Sequence, residues 1–214
     1  MDITLLIFHL FELLGIAAFA VSGAMAALEK RADLFGVVFL SLVTALGGGL
    51  IRDVLIGRTP PLMFSNYIYV LTAVVSSLLV FIMACLAKEA YRKNERRLEQ
   101  INNFFDALGL GAFTITGVRA AMEMDYGGNM FLAVALGVVT GIGGGLLRDC
   151  MIQEISMVFT KRIYALASLA GGCVYYLLAS AQLNDTFAVF SSIAVIFAIR
   201  VCATVFKWSL PKAL

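Results

Sequence analysis

The feature that most constrains this chain is the recurrence, along its whole length, of apolar runs of about twenty residues, the length a helix needs to cross roughly 30 Å of hydrocarbon. Set against the polar and turn-forming breaks, these runs give expected spans near 5–27, 34–57, 67–87, 103–122, 130–152, 163–181 and 186–206. With 61% of its 214 residues hydrophobic, 14% charged and a mean hydropathy of +0.94, the chain has more apolar surface than one soluble core can hide. No stretch is left over for a soluble domain, and residues 1–214 read as a single transmembrane domain of seven helices, all-α and integral to the membrane. The opening Met1-Asp2-Ile3-Thr4 lacks the basic region of a signal peptide, so the first span is expected to be retained.

Several function classes are disfavoured by what the sequence contains. The four cysteines, Cys85, Cys150, Cys173 and Cys202, form no C-x-x-C pair and have no companion histidines, which suggests neither a disulfide framework nor a tightly bound metal. A net charge of +2, with its basic residues scattered among loops, does not point to nucleic acid. No nucleophile-base or metal-ligand constellation marks an enzyme, and no cofactor is expected. His9 stands alone near an interface and reads as a wet surface group.

The strongly charged stretch Lys88–Arg97 between the third and fourth spans is expected in the cytosol. Placing it there puts thirteen of the sixteen Lys and Arg on that side and leaves Arg52, Arg58 and Arg119 on the other. That bias sets the N-terminus outside and the C-terminus inside.

The chain also aligns with itself. Phe11-Glu12-Leu13-Leu14-Gly15 matches Phe105-Asp106-Ala107-Leu108-Gly109, and Ser22-Gly23 matches Thr116-Gly117, at a shift of 94. Val43 to Asp53 then matches Val139 to Asp149 at a shift of 96, and Phe64-Ser65 and Ile68-Tyr69 match Phe159-Thr160 and Ile163-Tyr164 at 95. Repeat one covers about 5–87, a cytosolic linker about 88–101, and repeat two about 103–181; the seventh span at about 186–206 has no partner. Because each unit has an odd number of spans, the second must enter from the opposite side, an inverted 3+3 repeat that places a site near the bilayer midplane.

The strongest match is Thr44-Ala45-Leu46-Gly47-Gly48-Gly49 with Thr140-Gly141-Ile142-Gly143-Gly144-Gly145, followed by Arg52-Asp53 and Arg148-Asp149. Three glycines in mid-span cost about 1 kcal/mol apiece in helix propensity relative to alanine, so something must offset that weakness. One reading is a kinked or unwound turn whose freed carbonyls face water or a cation. The other is close helix packing, for which Gly137, Gly141 and Gly145 form a small-residue ridge. Duplication of the triplet at matched positions, each before a charge pair, favours the first. Neighbouring residues on a helix point about 100° apart, so Arg52 and Asp53, like Arg148 and Asp149, are expected to find partners on other helices. The two arginines fall very roughly 9 Å from the midplane, on opposite sides. Glu12 and Asp106 read as solvated charges near an interface. Thr44 and Thr140 either offer hydroxyls to an ion path or bond back to their own helices.

At these residues the chain resembles the TRIC (trimeric intracellular cation) channel family, in particular its prokaryotic members. The marks are the seven spans, the inverted repeat and the two G-G-G-L-x-R-D segments, and the likeness covers nearly the whole chain. It implies a homotrimer in membrane lipid, each subunit holding a path for potassium and similar monovalent cations lined by the second and fifth helices. Gly47, Gly48, Gly49, Arg52 and Asp53, with Gly143, Gly144, Gly145, Arg148 and Asp149, would shape or gate that path, with Thr44 and Thr140 beside it. Animal members replace part of the first triplet motif and bind phosphoinositides; this chain keeps both triplets, a departure that sets it apart from lipid regulation of that kind. The alternative is a secondary transporter of a small zwitterion such as glycine, with the Arg/Asp pairs holding carboxylate and ammonium. Short loops and the absence of a sorting tail favour a prokaryotic plasma membrane. On the channel reading, Gly48→Leu abolishes conduction and leaves the oligomer intact.

Overall fold

The computed structural model describes residues 3–88, 94–124, 128–156 and 163–206. Several basic residues behind the topology assignment, Arg92, Lys93, Lys161, Arg162, Lys207 and Lys212, lie outside the described residues, as do Phe159 and Thr160 of the self-alignment. Among the described residues there are eight helices and no strand: α1 (Ile3–Glu29), α2 (Leu34–Leu55), α3 (Leu62–Ser65), α4 (Tyr67–Leu86), α5 (Glu95–Glu123), α6 (Met130–Met151), α7 (Tyr164–Ser180) and α8 (Asp185–Val205). Five segments are long and apolar enough to cross a membrane: Phe8–Glu29, Leu34–Leu55, Tyr67–Leu86, Met130–Met151 and Asp185–Ala203. α7 is apolar but shorter. Large apolar side chains line the outside, as with Leu71, Leu79, Met83 and Leu86 on α4, so this is an all-helical protein whose exterior suits lipid rather than water.

Two local features depart from the sequence reading. The helix expected from 103 begins at Glu95, taking up the second half of the expected linker, because Glu95-Arg96-Arg97-Leu98-Glu99-Gln100 are all good helix formers. The one-turn α3, which the apolar runs did not announce, follows Pro60-Pro61; its first free N–H, at Leu62, donates to Asp53 Oδ2 at 2.8 Å.

α2 and α6 start and stop alike. Asp33 caps α2 through Gly36 N–H and Asn129 caps α6 through Leu132 N–H. At the far ends, Arg58 N–H returns to Asp53 C=O and Glu154 N–H to Asp149 C=O, each across a residue of positive φ, Gly57 at 70° and Gln153 at 57°.

The centre of the molecule is the crossing of α2 and α6, flanked by α1 and α5. Gly47 meets Leu147, Gly48 meets Thr140 and Gly144, and Gly143 meets Ile51; numbers that rise on one helix as they fall on the other mean the two cross antiparallel. α1 and α5 touch through Phe19 and Phe113, stacked at 5.3 Å with planes 14° apart. α8 packs on α7 and α5.

The crossing supports the packing reading of the triplets. α2 runs as one helix from Leu34 to Leu55 and α6 from Met130 to Met151, so the expected unwound turn is not there. A Cβ built on Gly48 would overlap the Thr140 carbonyl oxygen, and one on Gly144 the Thr44 carbonyl oxygen. The glycines let two backbones touch, and the packing gained there offsets their poor helix propensity. Gly137 and Gly141 serve the same end against α5, lying on the Thr114 and Leu110 carbonyls.

Candidate functional site

The antiparallel crossing puts Arg52-Asp53 at one end and Arg148-Asp149 at the other, and each pair gathers polar side chains from several helices. At the Arg148 end, Arg148 Nη1 donates to Ser22 Oγ (2.6 Å) and Asp106 Oδ1 (3.0 Å), and Nε donates to Asp149 Oδ1 (2.8 Å). Ser22 in turn donates to Asn102 Oδ1. Arg200 of α8 brings Nη2 to 3.8 Å from Asp106 Oδ2, and its guanidinium lies 4.6 Å over the Tyr164 ring. Arg148 and Asp106 are 1% and 0% exposed, so this charge set is dry.

The Arg52 end uses the matched residues, with Arg52 and Asp53 also buried at 4% and 1% exposed, but a cavity opens beside it. Arg52 Nε donates to Asp53 Oδ1 at 2.9 Å, and Tyr69 Oη donates to Glu12 Oε2 at 2.5 Å. Between Glu12, Arg52, Arg58 and Thr116 opens a cavity of about 270 Å³. A smaller cleft of about 30 Å³, which shares Glu12, Arg52, Leu62 and Tyr69 with it, is lined also by Gly49, Ala45 and Phe113. At the cavity's edge Arg119 pairs with Glu123 (2.6 Å) and Asp185 (2.7 Å) and lies 3.8 Å over the Phe8 ring, which fixes the start of α8.

Several expectations are corrected here. Each arginine does pair with the aspartate next to it, because three methylenes and a five-donor fork let a guanidinium curl around the helix. Among the described residues only Arg148 of the two adds a carboxylate from another helix, Asp106, while Asp53 also has Arg58 at 3.9 Å. Asp106 is a buried ligand of Arg148 and not an interfacial solvated charge, and Glu12 is held by Tyr69 with its side chain only 17% exposed. Burial follows because α1 and α5 flank the crossing and turn these positions toward it. Thr44 and Thr140 donate to Leu40 and Leu136 carbonyls at 2.7 and 2.6 Å, the back-bonded arrangement, while their oxygens rest against Gly23 and Gly117. Of the triplets, Gly47, Gly48, Gly143 and Gly144 lie in the crossing; Gly49 opens on the cleft and Gly145 abuts Tyr164 and Arg148. His9 is exposed, 3.5 Å from Glu12.

Away from both ends, Lys30 Nζ lies 2.6 Å from Glu154 Oε1, tying the α1–α2 turn to the end of α6. The hydrogen bond to Glu154 raises the Lys30 pKa. A lysine whose folded pKa is raised stabilises below its unfolded pKa and loses that contribution as pH climbs through the folded value. Glu154→Gln is therefore expected to melt slightly below the parent at neutral pH and to converge with it in alkali. Melting curves in detergent at several pH values check this, and a gap that widened with pH would refute it.

The model of the protein family described as "Glycine transporter" matches residues 9–84 and 103–180, segments that begin 94 residues apart and end 96 apart. UPF0126 membrane protein YvgT of Bacillus subtilis is 34% identical over 204 residues, 95% of each chain. A solved TRIC trimeric intracellular cation channel orthologue from Rhodobacter sphaeroides is 31% identical, with a TM-score of 0.83 over 94% of this chain and 99% of that one. The chain belongs to the prokaryotic TRIC family. A crystal structure of a prokaryotic TRIC channel in 0.5 M KCl is similar too, at 32% identity and a TM-score of 0.85 over 96% and 99%.

In this TRIC protein the polar ends contain residues that sequence reasoning left without a role. Tyr69 and Tyr164, and Ser22 and Thr116, stand in the self-alignment, and their shared polarity was the available signal. Arg200 is a charge inside an apolar run, which in a membrane protein is itself a marker of function or pairing.

Proposed function

We propose that this TRIC protein is a passive channel for potassium and similar monovalent cations, a homotrimer in which each subunit carries its own path. In this reading seven spans, counting α5 and α7, form an inverted 3+3 repeat with α8 outside it, the units running about 5–87 and 103–181. The N-terminus faces outward and the C-terminus the cytosol of a bacterial plasma membrane.

The path enters at the Glu12–Arg52 cavity, follows the cleft by Gly49 and Ala45, skirts the α2–α6 crossing and leaves past Asp106 and Arg148. Gly47, Gly48, Gly143 and Gly144 set the width of the crossing, and Gly145 with Asp149 shapes the exit. Thr44 and Thr140 fix the helix faces beside it.

The observation that carries the reading is a charged cavity beside a smaller cleft lined by Ala45 and Gly49 of α2, in a chain whose structure resembles TRIC cation channels over nearly its full length. Paired contacts support the repeat: Gly23 meets Leu40, Ser41 and Thr44 as Gly117 meets Leu136, Gly137 and Thr140, all four pairs related by the shifts of the self-alignment. No T-V-G-Y-G filter is present, so discrimination among monovalent cations is modest.

Purified protein in planar bilayers under a potassium gradient is expected to give unitary currents with a linear, non-saturating flux. Silent bilayers, with saturable uptake of glycine into proteoliposomes, would overturn the channel in favour of the zwitterion transporter.

A further inference from the structure

We infer that the buried Arg148 end holds one resident water molecule, seated beside Gly145 and bridging the Tyr164 hydroxyl of α7 to the Asp106 carboxylate of α5. The site belongs to the fold and is independent of the path proposed above.

Two buried polar atoms converge there with hydrogen-bonding capacity left over. Asp106 is 0% exposed; its Oδ1 accepts from Arg148, while Oδ2 has no hydrogen bond among the described residues. The Arg200 guanidinium stands 3.8 Å from Oδ2, a charge contact and too long for a hydrogen bond. Tyr164 is 1% exposed, and its hydroxyl likewise has no hydrogen bond among the described residues. Each such atom forfeits its hydration on burial and recovers it only through a partner.

Gly145 provides the room. A Cβ built on it would lie 3.4 Å from Tyr164 Oη, 3.7 Å from Asp106 Oδ1 and 3.7 Å from Arg148 Nη2, so these groups face the spot where any other residue would place its side chain. A water centred a little beyond that spot accepts from the Tyr164 hydroxyl and donates to Asp106 Oδ2, and about two to four polar partners are what a buried water needs. A monovalent cation is the poorer occupant, because Arg148 and Arg200 already bring two guanidiniums to this carboxylate.

The repeat explains why the gap exists. Glu12, Tyr69 and Gly49 are the matched residues, and there Tyr69 Oη donates straight to Glu12 Oε2 at 2.5 Å. Asp106 is one methylene shorter than Glu12, about 1.5 Å of reach. Water takes the place of the missing carbon. α4 is thus joined to α1 directly, and α7 to α5 through an exchangeable molecule.

Gly145→Ala separates a filled site from an empty one by the sign of its effect. In an empty site the methyl meets only ordinary contacts, and helix propensity raises the melting midpoint in detergent by about 2–4 °C. With water seated there the methyl expels it and strands Asp106 Oδ2 and Tyr164 Oη, and the midpoint is expected to fall by about 3 °C or more. Repeated in a Tyr164→Phe background, where one of the stranded groups is gone, the same substitution is expected to lose much of that effect. In the parent protein, a density map fine enough to show ordered water should carry a peak within hydrogen-bond distance of both oxygens. A stabilising Gly145→Ala, or a map with Tyr164 Oη directly on Asp106 and no peak, would overturn the resident water. Anomalous scattering at the peak from crystals grown in a rubidium salt would overturn it too, by making the occupant a cation.

Discussion

Gly48→Ala and Gly144→Ala, each adding a single carbon, are expected to lower the stability of this TRIC protein sharply, whereas Gly49→Ala should leave it unchanged or improve it. The three positions are near-neighbours in sequence or in the repeat, and propensity alone predicts that alanine helps at each, by up to about 1 kcal/mol. Geometry reverses the sign at two of them. The new carbon at Gly48 would overlap the Thr140 carbonyl oxygen and lie 3.2 Å from Gly144 N; at Gly144 it would overlap the Thr44 carbonyl oxygen. Backbone atoms of a helix cannot rotate aside as a side chain can. Relief comes only by spreading α2 from α6. Overpacking of this kind costs about 1–3 kcal/mol and occasionally more, and the rigid partners place these variants at the upper end. At Gly49 the nearest atom is Arg52 Nη2 at 3.8 Å, ordinary contact.

Thermal unfolding in detergent, followed by circular dichroism with gel filtration beside it, measures all three variants on one scale. Equal shifts across the set would return the triplets to a shared propensity effect and remove the backbone-contact explanation. The same geometry revises the expectation for Gly48→Leu. A leucine there meets the α6 backbone rather than filling a bend, so lost conduction should come with a loosened subunit and not with an intact one.

Much of this was legible because membranes limit the alternatives. Apolar runs and their breaks place helices at Leu34, Tyr67 and Met130 within a residue or two of the observed starts, since Asp33, Asn66 and Asn129 are side-chain caps as well as polar breaks. The α2–α6 crossing was legible only as a duplication. Whether a glycine triplet bends a helix or admits a neighbour depends on what packs against it, and Thr140 is 92 residues from Gly48. The same limit hid the partners of Arg52 and Arg148. Spacing says where a Cβ points, but an arginine fork sits several bonds beyond it and can bend back to the next residue. Charge counting also missed the contrast between the ends, because Glu12 and Asp106 hold equivalent positions in the alignment. What separates them among the described residues is that α8 reaches Asp106 with Arg200, while Glu12 borders a cavity.

That contrast yields the other large effect. Asp106→Asn is expected to cost roughly 3–5 kcal/mol, while Glu12→Gln, the matching change at the opposite end, should cost about 1 kcal/mol. Removing the Asp106 charge takes from Arg148 and Arg200, 1% and 6% exposed, the buried carboxylate they share, and a buried guanidinium that loses such a counter-ion forfeits both the attraction and the hydration it gave up. Glu12 borders the 270 Å³ cavity, where water can solvate whatever its loss uncovers. Its tyrosine bond also survives, since an amide oxygen accepts from Tyr69 as a carboxylate does. Chemical or thermal unfolding of both variants in one detergent gives the comparison directly. If the two losses were equal, water would have to reach Asp106 as freely as Glu12, and the full burial of Asp106 against the partial exposure of Glu12 would carry no energetic weight.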